Sequence, residues 1–176
     1  MNEPTIQLLY DAETIRNKVQ ALGRRIEQEM APGDPLILSN LGGSVVFLAD
    51  LVRTIRRPVR FDFLQVHYTY SDGQDDLLDI QFPMSVEVAG QSVLMVKDVI
   101  ATGVVDSFLR DQLSKRGARE VRFAALLDVP EQRRTQFEPE YTAFIPKKTG
   151  RFVGYGIKYG GLYGNLDHIG LLVEES

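Results

Sequence analysis

At 176 residues, with 44% hydrophobic and 25% charged residues, the chain has the make-up of a globular protein long enough to bury its own core. A formal net charge of −4 argues against non-specific nucleic-acid binding, and the lack of cysteine excludes disulfides and thiolate chemistry. His67 and His168 stand too far apart for a histidine-rich metal site, no apolar run is long enough to span a bilayer, and no leader-like segment opens the sequence, so a cytoplasmic location is expected.

Residues 1–10 read as a lead-in. Asp11 or Thr14 caps a helix running to about Met30, in which Ile15, Val19, Leu22, Ile26 and Met30 recur at spacings of three and four. The Pro- and Gly-containing residues 31–35 end it. Residues 36–38 predict a short buried strand, Leu41-Gly42-Gly43-Ser44 a turn, and residues 45–55 a second helix carrying Val46, Phe47, Leu51 and Ile55. Residues 59–70 are strand-like through Phe61, Phe63 and Val66. Residues 71–76 form a polar tip, and residues 77–82 return as a strand. The acids Asp72, Asp75, Asp76 and Asp79 lack calcium-loop spacing and read as solvated surface.

Residues 92–106 are the most informative stretch. Val93-Leu94-Met95-Val96 is a buried strand. Asp98 and Ala101-Thr102-Gly103 make a tight turn, and Val105, Phe108, Leu109 and Leu113 then share one helical face. A turn feeding a helix N-terminus offers unpaired N–H groups to an anion, so a phosphate cradle and an ordinary strand-to-helix turn both fit the spacing. Asp106, in the first helical turn, suits the helix dipole as a structural acid. Residues 121–127 form another apolar strand broken at Asp128-Val129-Pro130, residues 141–145 a further one, and residues 169–173 the last, after a glycine-rich aromatic segment at 152–159. Strands alternating with helices imply an α/β fold with a mostly parallel sheet, whose ligands sit at the carboxyl ends of strands. The turns at Gly42-Gly43, Ala101-Thr102-Gly103 and Asp128-Val129-Pro130 are therefore expected to converge on one crevice, within one domain spanning 1–176.

Residues 93–103 resemble the diphosphoribosyl-binding motif of type I phosphoribosyltransferases: an apolar strand, then Asp98, then Thr102-Gly103. The likeness to hypoxanthine-guanine phosphoribosyltransferases extends through Leu41-Gly42-Gly43 with Phe47–Leu51, Asp62-Phe63-Leu64, residues 122–134, Phe152–Gly156 and Asn165-Leu166. The resemblance implies a type I phosphoribosyltransferase-like fold with a small hood drawn mainly from 1–12 and 146–176. It also implies transfer of phosphoribose from phosphoribosyl diphosphate to a purine, with magnesium bridging substrate oxygens.

The departures from the family pattern fall on its chemistry. Of two adjacent acids facing the ribose, the first is Lys97 and only Asp98 remains. Ala101 occupies the proton-acceptor position and can accept nothing. Val104 and Val105 replace side-chain donors of the phosphate cradle, which with Gly42, Gly43, Asp98, Thr102 and Gly103 forms the expected phosphate and ribose site. On the base side the resemblance implies Val129, Arg151, Phe152 and Val153, with Val129 where a purine-reading lysine is usual and Arg151 where an aromatic stacks. Lys158 replaces a metal-binding acid and Gly164 a pyrophosphate-binding arginine. Lys97 and Lys158 are candidate anion contacts, and no metal ligand is assigned.

From these losses the sequence predicts a purine phosphoribosyltransferase-like protein with impaired or absent catalysis. It retains a phosphate- or nucleotide-binding scaffold and serves as a homo-oligomer or as a regulatory subunit with a related enzyme. The alternative is an active purine-salvage transferase using hypoxanthine, guanine or another acceptor; magnesium enters only there.

Overall fold

The structure, a computed structural model, describes residues 5–30, 35–69, 77–81 and 86–173. The expectations for the turn at 31–34, for Tyr70, for Asp72, Asp75 and Asp76, and for Phe82 fall outside these residues.

The main sheet holds β2 (Leu36–Asn40), β3 (Arg60–Thr69), β4 (Leu77–Gln81), β5 (Ser92–Ile100), β6 (Glu120–Asp128) and β7 (Tyr141–Phe144), in the order β4-β3-β2-β5-β6-β7. β4 runs antiparallel to β3 and every other pairing is parallel, which leaves five parallel strands flanked by helices. α1 (Ala12–Glu29) and α2 (Val45–Val52) cover one face, and α3 (Val104–Lys115) covers the other. The central strands are apolar throughout because both their faces are buried. Ile37, Leu94 and Val96 point toward α1 and α2, whereas Leu36, Leu38, Val93 and Met95 point toward α3.

Asp11, rather than Thr14, caps α1: its Oδ1 accepts from the Thr14 backbone N–H at 2.7 Å, and these hydrogen bonds hold its carboxyl below the usual range. α2 ends at Val52, three residues short of the predicted length. The Thr54 hydroxyl donates to the Leu51 carbonyl at 2.6 Å, and the Thr54 and Ile55 N–H groups bond three residues back, tightening the chain out of the helix. Val46, expected on the core face, is partly exposed, while Phe47, Leu48 and Leu51 are buried.

Residues 5–10 are more than a lead-in. They form β1 (Thr5–Tyr10), which pairs antiparallel with β9 (Ile169–Val173), and β9 in turn pairs with β8 (Arg151–Val153). This second sheet, ordered β1-β9-β8, covers the carboxyl side of the main sheet through the glycine-rich turn that follows β8.

Candidate functional site

The carboxyl ends of β2, β5 and β6 meet as expected. A methyl group on Gly43 would collide with the Asp98 carboxylate and lie 3.4 Å from the Gly156 carbonyl, so the first turn, the β5 turn and the segment after β8 are in direct contact. The β5 and β6 turns are tied together by the Val129 N–H donating to the Ile100 carbonyl at 2.9 Å and the Arg134 N–H donating to the Thr102 carbonyl at 2.9 Å. Arg133 adds a bond from Nη1 to the Ala101 carbonyl at 2.8 Å and an ion pair with Asp128.

Gly103 is required where it stands. It has φ of +75° and caps α3, and a Cβ there would sit 2.6 Å from Thr135 Oγ1 and 2.9 Å from Arg133 Cδ. As at any helix start, the first N–H groups of α3 have no carbonyl partner within the helix. Val104 N–H makes only a long 3.4 Å contact with Thr102 Oγ1, and the Val104 side chain is 43% exposed. The cradle thus keeps its backbone donors and the positive end of the helix dipole, while Val104 and Val105 add no polar side-chain atom.

Strand parity separates the two residues that replace the acid pair. Asp98 points to the α2 side, against Gly43. Lys97 shares the face of Val93 and Met95 and runs beneath the first turn of α3, where its Nζ lies 3.7 Å from Asp106 Oδ1. The two side chains are 11% and 6% exposed. Lys97 is therefore neither turned to solvent nor an open anion contact, and Asp106 is structural through this pairing as well as through the helix dipole. At 3.7 Å the pair is held by charge rather than by a hydrogen bond, and Asp106 Oδ1 accepts none. Burial pushes the Asp106 carboxyl up, with the Lys97 attraction only partly offsetting it.

On the expected base side, Val129 is 1% exposed, and Phe152 and Val153 are buried, with Phe152 in the core cluster beside α1 and α2. Arg151 is exposed and stacks over the Tyr159 ring at 4.9 Å. The structure thus sets Arg151 apart from its sequence neighbours. Lys158 is exposed and lies against Gly164, where an added Cβ would be 2.8 Å from Lys158 Cγ. Gly42 faces open space.

Sequence reasoning quotes Asp50 only within the Phe47–Leu51 likeness, with no role of its own, and takes Gly154-Tyr155-Gly156 as able to shape a base pocket or as a closely packed strand; it does not foresee the bond between Asp50 and Tyr155. Tyr155, at φ of +50°, donates its hydroxyl to Asp50 Oδ2 at 2.5 Å, and burial together with this carboxylate pushes the phenol pKa up. Asp50 also pairs with Arg53. The positive φ that Tyr155 shares with its neighbours Gly154 and Gly156 leaves a trace in the sequence only as the Gly-Tyr-Gly triplet. These residues border a cavity of about 600 Å³ between α1, α2 and the turn at 164–167, beside the crevice rather than in it. The loop cluster, not this cavity, is the candidate site: there backbone donors converge with Asp98, a carboxylate that no cation faces among the described residues, whereas the carboxylate of Asp50 at the cavity is already engaged.

Among the described residues no all-protein magnesium cage is formed; a magnesium ion arriving with substrate phosphates would have Asp98 as its protein carboxylate. Magnesium takes carboxylate and phosphate oxygens in octahedral array. Asp106 faces Lys97, Asp128 faces Arg133 and Asp50 faces Arg53. Asp98 alone remains, and no group of three or more acids, histidines or cysteines suited to a metal occurs among the described residues.

A doubly covered, largely parallel sheet with a helix-capping Thr-Gly turn at the end of its central strand, roofed by a small antiparallel sheet, defines the type I phosphoribosyltransferase class. The chain belongs to the hypoxanthine-guanine branch of the phosphoribosyltransferase family. The family described as "Phosphoribosyl transferase domain" matches residues 7–159. The hypoxanthine-guanine phosphoribosyltransferase of Streptococcus pneumoniae is 34% identical over 171 residues, covering 96% of this chain and 94% of that protein. A crystal structure of a hypoxanthine-guanine phosphoribosyltransferase from Bacillus anthracis superimposes with a TM-score of 0.86 at 30% identity, covering 98% of this chain and all of that one. A hypoxanthine phosphoribosyltransferase from Staphylococcus aureus does so with a TM-score of 0.86 at 27% identity, over 95% of this chain and 91% of that one.

Proposed function

We propose that the chain is an active purine phosphoribosyltransferase that moves phosphoribose from phosphoribosyl diphosphate to hypoxanthine or guanine. The observation that carries this reading is the 34% identity with a hypoxanthine-guanine phosphoribosyltransferase across 96% of the chain. Sequence alone favours impaired catalysis; kinship of this extent favours the active alternative.

In the reaction the bond from C1 of the ribose to pyrophosphate breaks, a bond from C1 to a purine nitrogen forms, and the purine gives up a proton. The transition state is a loose, cationic sugar, so the chain must hold the leaving diphosphate and orient the ring. The N–H groups after Gly103 hold phosphate, and Asp98 orients a ribose hydroxyl. Val129 and Phe152 bound the base side, with Arg151 and Lys158 at its rim. The proton leaves to water, since Ala101 offers no acceptor. That omission lowers the rate by about 10²–10⁴-fold relative to a site with a positioned base. The protein works in the cytoplasm; no described helix is long and apolar enough to cross a membrane.

A second reading is favoured by one observation: Ala101 and the buried Val129 stand where the resemblance implies a proton acceptor and a purine-reading lysine. Under it the chain binds nucleotide without turnover and acts within a homo-oligomer, or as a subunit beside a related enzyme. Incubation of the purified chain with phosphoribosyl diphosphate, magnesium and hypoxanthine or guanine, with nucleotide followed over time, separates the two. A rate within about 10⁴-fold of an ordinary transferase is the expected result. Absence of any nucleotide above the uncatalysed background overturns the transferase reading.

A further inference from the structure

Resting on the reading above, we propose that Arg133 is a positioning residue for phosphate binding: by holding the Ala101 carbonyl it keeps the oxygens of the β5 turn away from the anion, so that the turn offers N–H groups there instead. Three consecutive carbonyls of this turn are taken up by the segment after β6. Ile100 accepts from the Val129 N–H at 2.9 Å, Ala101 from Arg133 Nη1 at 2.8 Å and Thr102 from the Arg134 N–H at 2.9 Å. These peptides are trans, and in a trans peptide the N–H points opposite to the C=O. The N–H groups of Ala101, Thr102 and Gly103 are therefore turned away from residues 129–134, and the unbonded N–H groups at the start of α3 follow them in the chain.

The outer two of these bonds come from the main chain, and most residue types would supply them. The middle one depends on a side chain and on its shape. One arm of the guanidinium pairs with Asp128 while the other reaches the carbonyl, a fork that arginine presents rigidly and lysine does not. The Arg133 side chain is only 11% exposed, so its placement is set by the fold. Its stem also fills the space beside Gly103, where a Cβ would lie 2.9 Å from Arg133 Cδ. Without Arg133 the Ala101 carbonyl loses this partner. Rotation of the 101–102 peptide would then set an oxygen toward the phosphate where an N–H stood, a dipole of the wrong sign. Arg133 thus acts through the main chain of the turn rather than as a phosphate ligand, its guanidinium being engaged by Asp128 and Ala101.

Isothermal titration calorimetry of the full chain with inosine monophosphate tests this, on the parent, on Arg133→Met and on Asp128→Asn. Arg133→Met is expected to weaken binding by about tenfold or more, the worth of a hydrogen bond from a charged donor. Asp128→Asn keeps an oxygen for the other arm and leaves the Ala101 bond in place, so its Kd should lie within about threefold of the parent's. A loss of under about threefold in Arg133→Met, or an equal loss in Asp128→Asn, overturns the proposal. Thermal unfolding of the same samples shows whether they are folded. If Arg133→Met fails to fold because it strands the buried Asp128, Arg133→Met combined with Asp128→Leu removes both charges and carries the same expectation and the same refutation. Steady-state kinetics in magnesium give a readout that general loosening would not. In Arg133→Met the KM for phosphoribosyl diphosphate should rise about tenfold while that for hypoxanthine stays within about threefold; equal rises in both overturn the positioning role. If the parent turns over but Arg133→Met binds as the parent does, the proposal alone fails. If the parent makes no nucleotide yet binds inosine monophosphate, the functional reading fails and the titrations still decide the proposal; if the parent binds no inosine monophosphate, both fail.

Discussion

Replacing Lys97 and Asp106 together, by Met and Leu, is expected to make the protein more stable. Two charges are buried to within about a tenth of their side-chain surface, 3.7 Å apart, with no hydrogen bond to Asp106 Oδ1. Desolvation raises the Asp106 pKa in spite of Lys97, which means that burying the carboxylate outweighs the attraction it gains. Apolar replacement of such pairs commonly stabilises by about 1–4 kcal/mol, and the missing hydrogen bond places this one within that range. For a chain of this size each kcal/mol moves Tm by about 2–4 °C. Urea unfolding with a shared m-value measures the difference. The sign of the pH dependence follows from the raised pKa. A carboxyl whose folded pKa lies above its ordinary 3.8 contributes stability that is fully present below the unfolded pKa and is lost as pH rises through the folded value. The advantage of the double variant should therefore shrink as the solution is acidified through that window. A double variant less stable than the parent by 1 kcal/mol or about that much, or an advantage that grows on acidification, would refute the desolvation argument.

Ala101→Asp restores a carboxyl at the end of β5, and turnover of hypoxanthine should rise about 10²-fold or more with KM little changed; a flat kcat would show that the proton is not what limits the rate. Gly154→Ala drives a methyl into the His168 carbonyl at φ of +94°, and a loss of about 2–4 kcal/mol is expected in thermal or urea unfolding. Tyr155→Phe removes the 2.5 Å bond to the partly exposed Asp50 and should cost about 1 kcal/mol, read as a lowered Tm with the far-UV spectrum unchanged.

The central architecture was legible because its signals are local. The run in α1, the apolar cores of β2, β5 and β6, and the Thr-Gly turn each announce themselves within a short window and fall where expected, except that β5 continues past Val96 through Lys97 and Asp98 to Ile100, so that Asp98 lies in the strand and not in the turn. β1 was not legible, since no residue of Thr5–Tyr10 is fully buried and there is no clean alternation, and its partner β9 lies more than 150 residues along the chain. The Lys97–Asp106 pair was missed for a related reason. Each residue has a satisfactory local explanation, a solvated lysine and a dipole-capping acid, and only the path of the chain from β5 through the Gly103 turn into α3 brings them together. The shortening of α2 depends on the Thr54 hydroxyl choosing the Leu51 carbonyl, a competition that helical periodicity does not record.

The pairing of Thr5 with Val173 has a consequence for the order of assembly. Strands β2 to β7 can find their neighbours from intervening segments, but β1 must wait for β9, which is made after all of them. The roof over the crevice is therefore completed after the strands of the parallel sheet beneath it have been made. It is also a short-stranded layer with an exposed outer row, so amide hydrogen exchange should release β1 and β8 before β5 and β6.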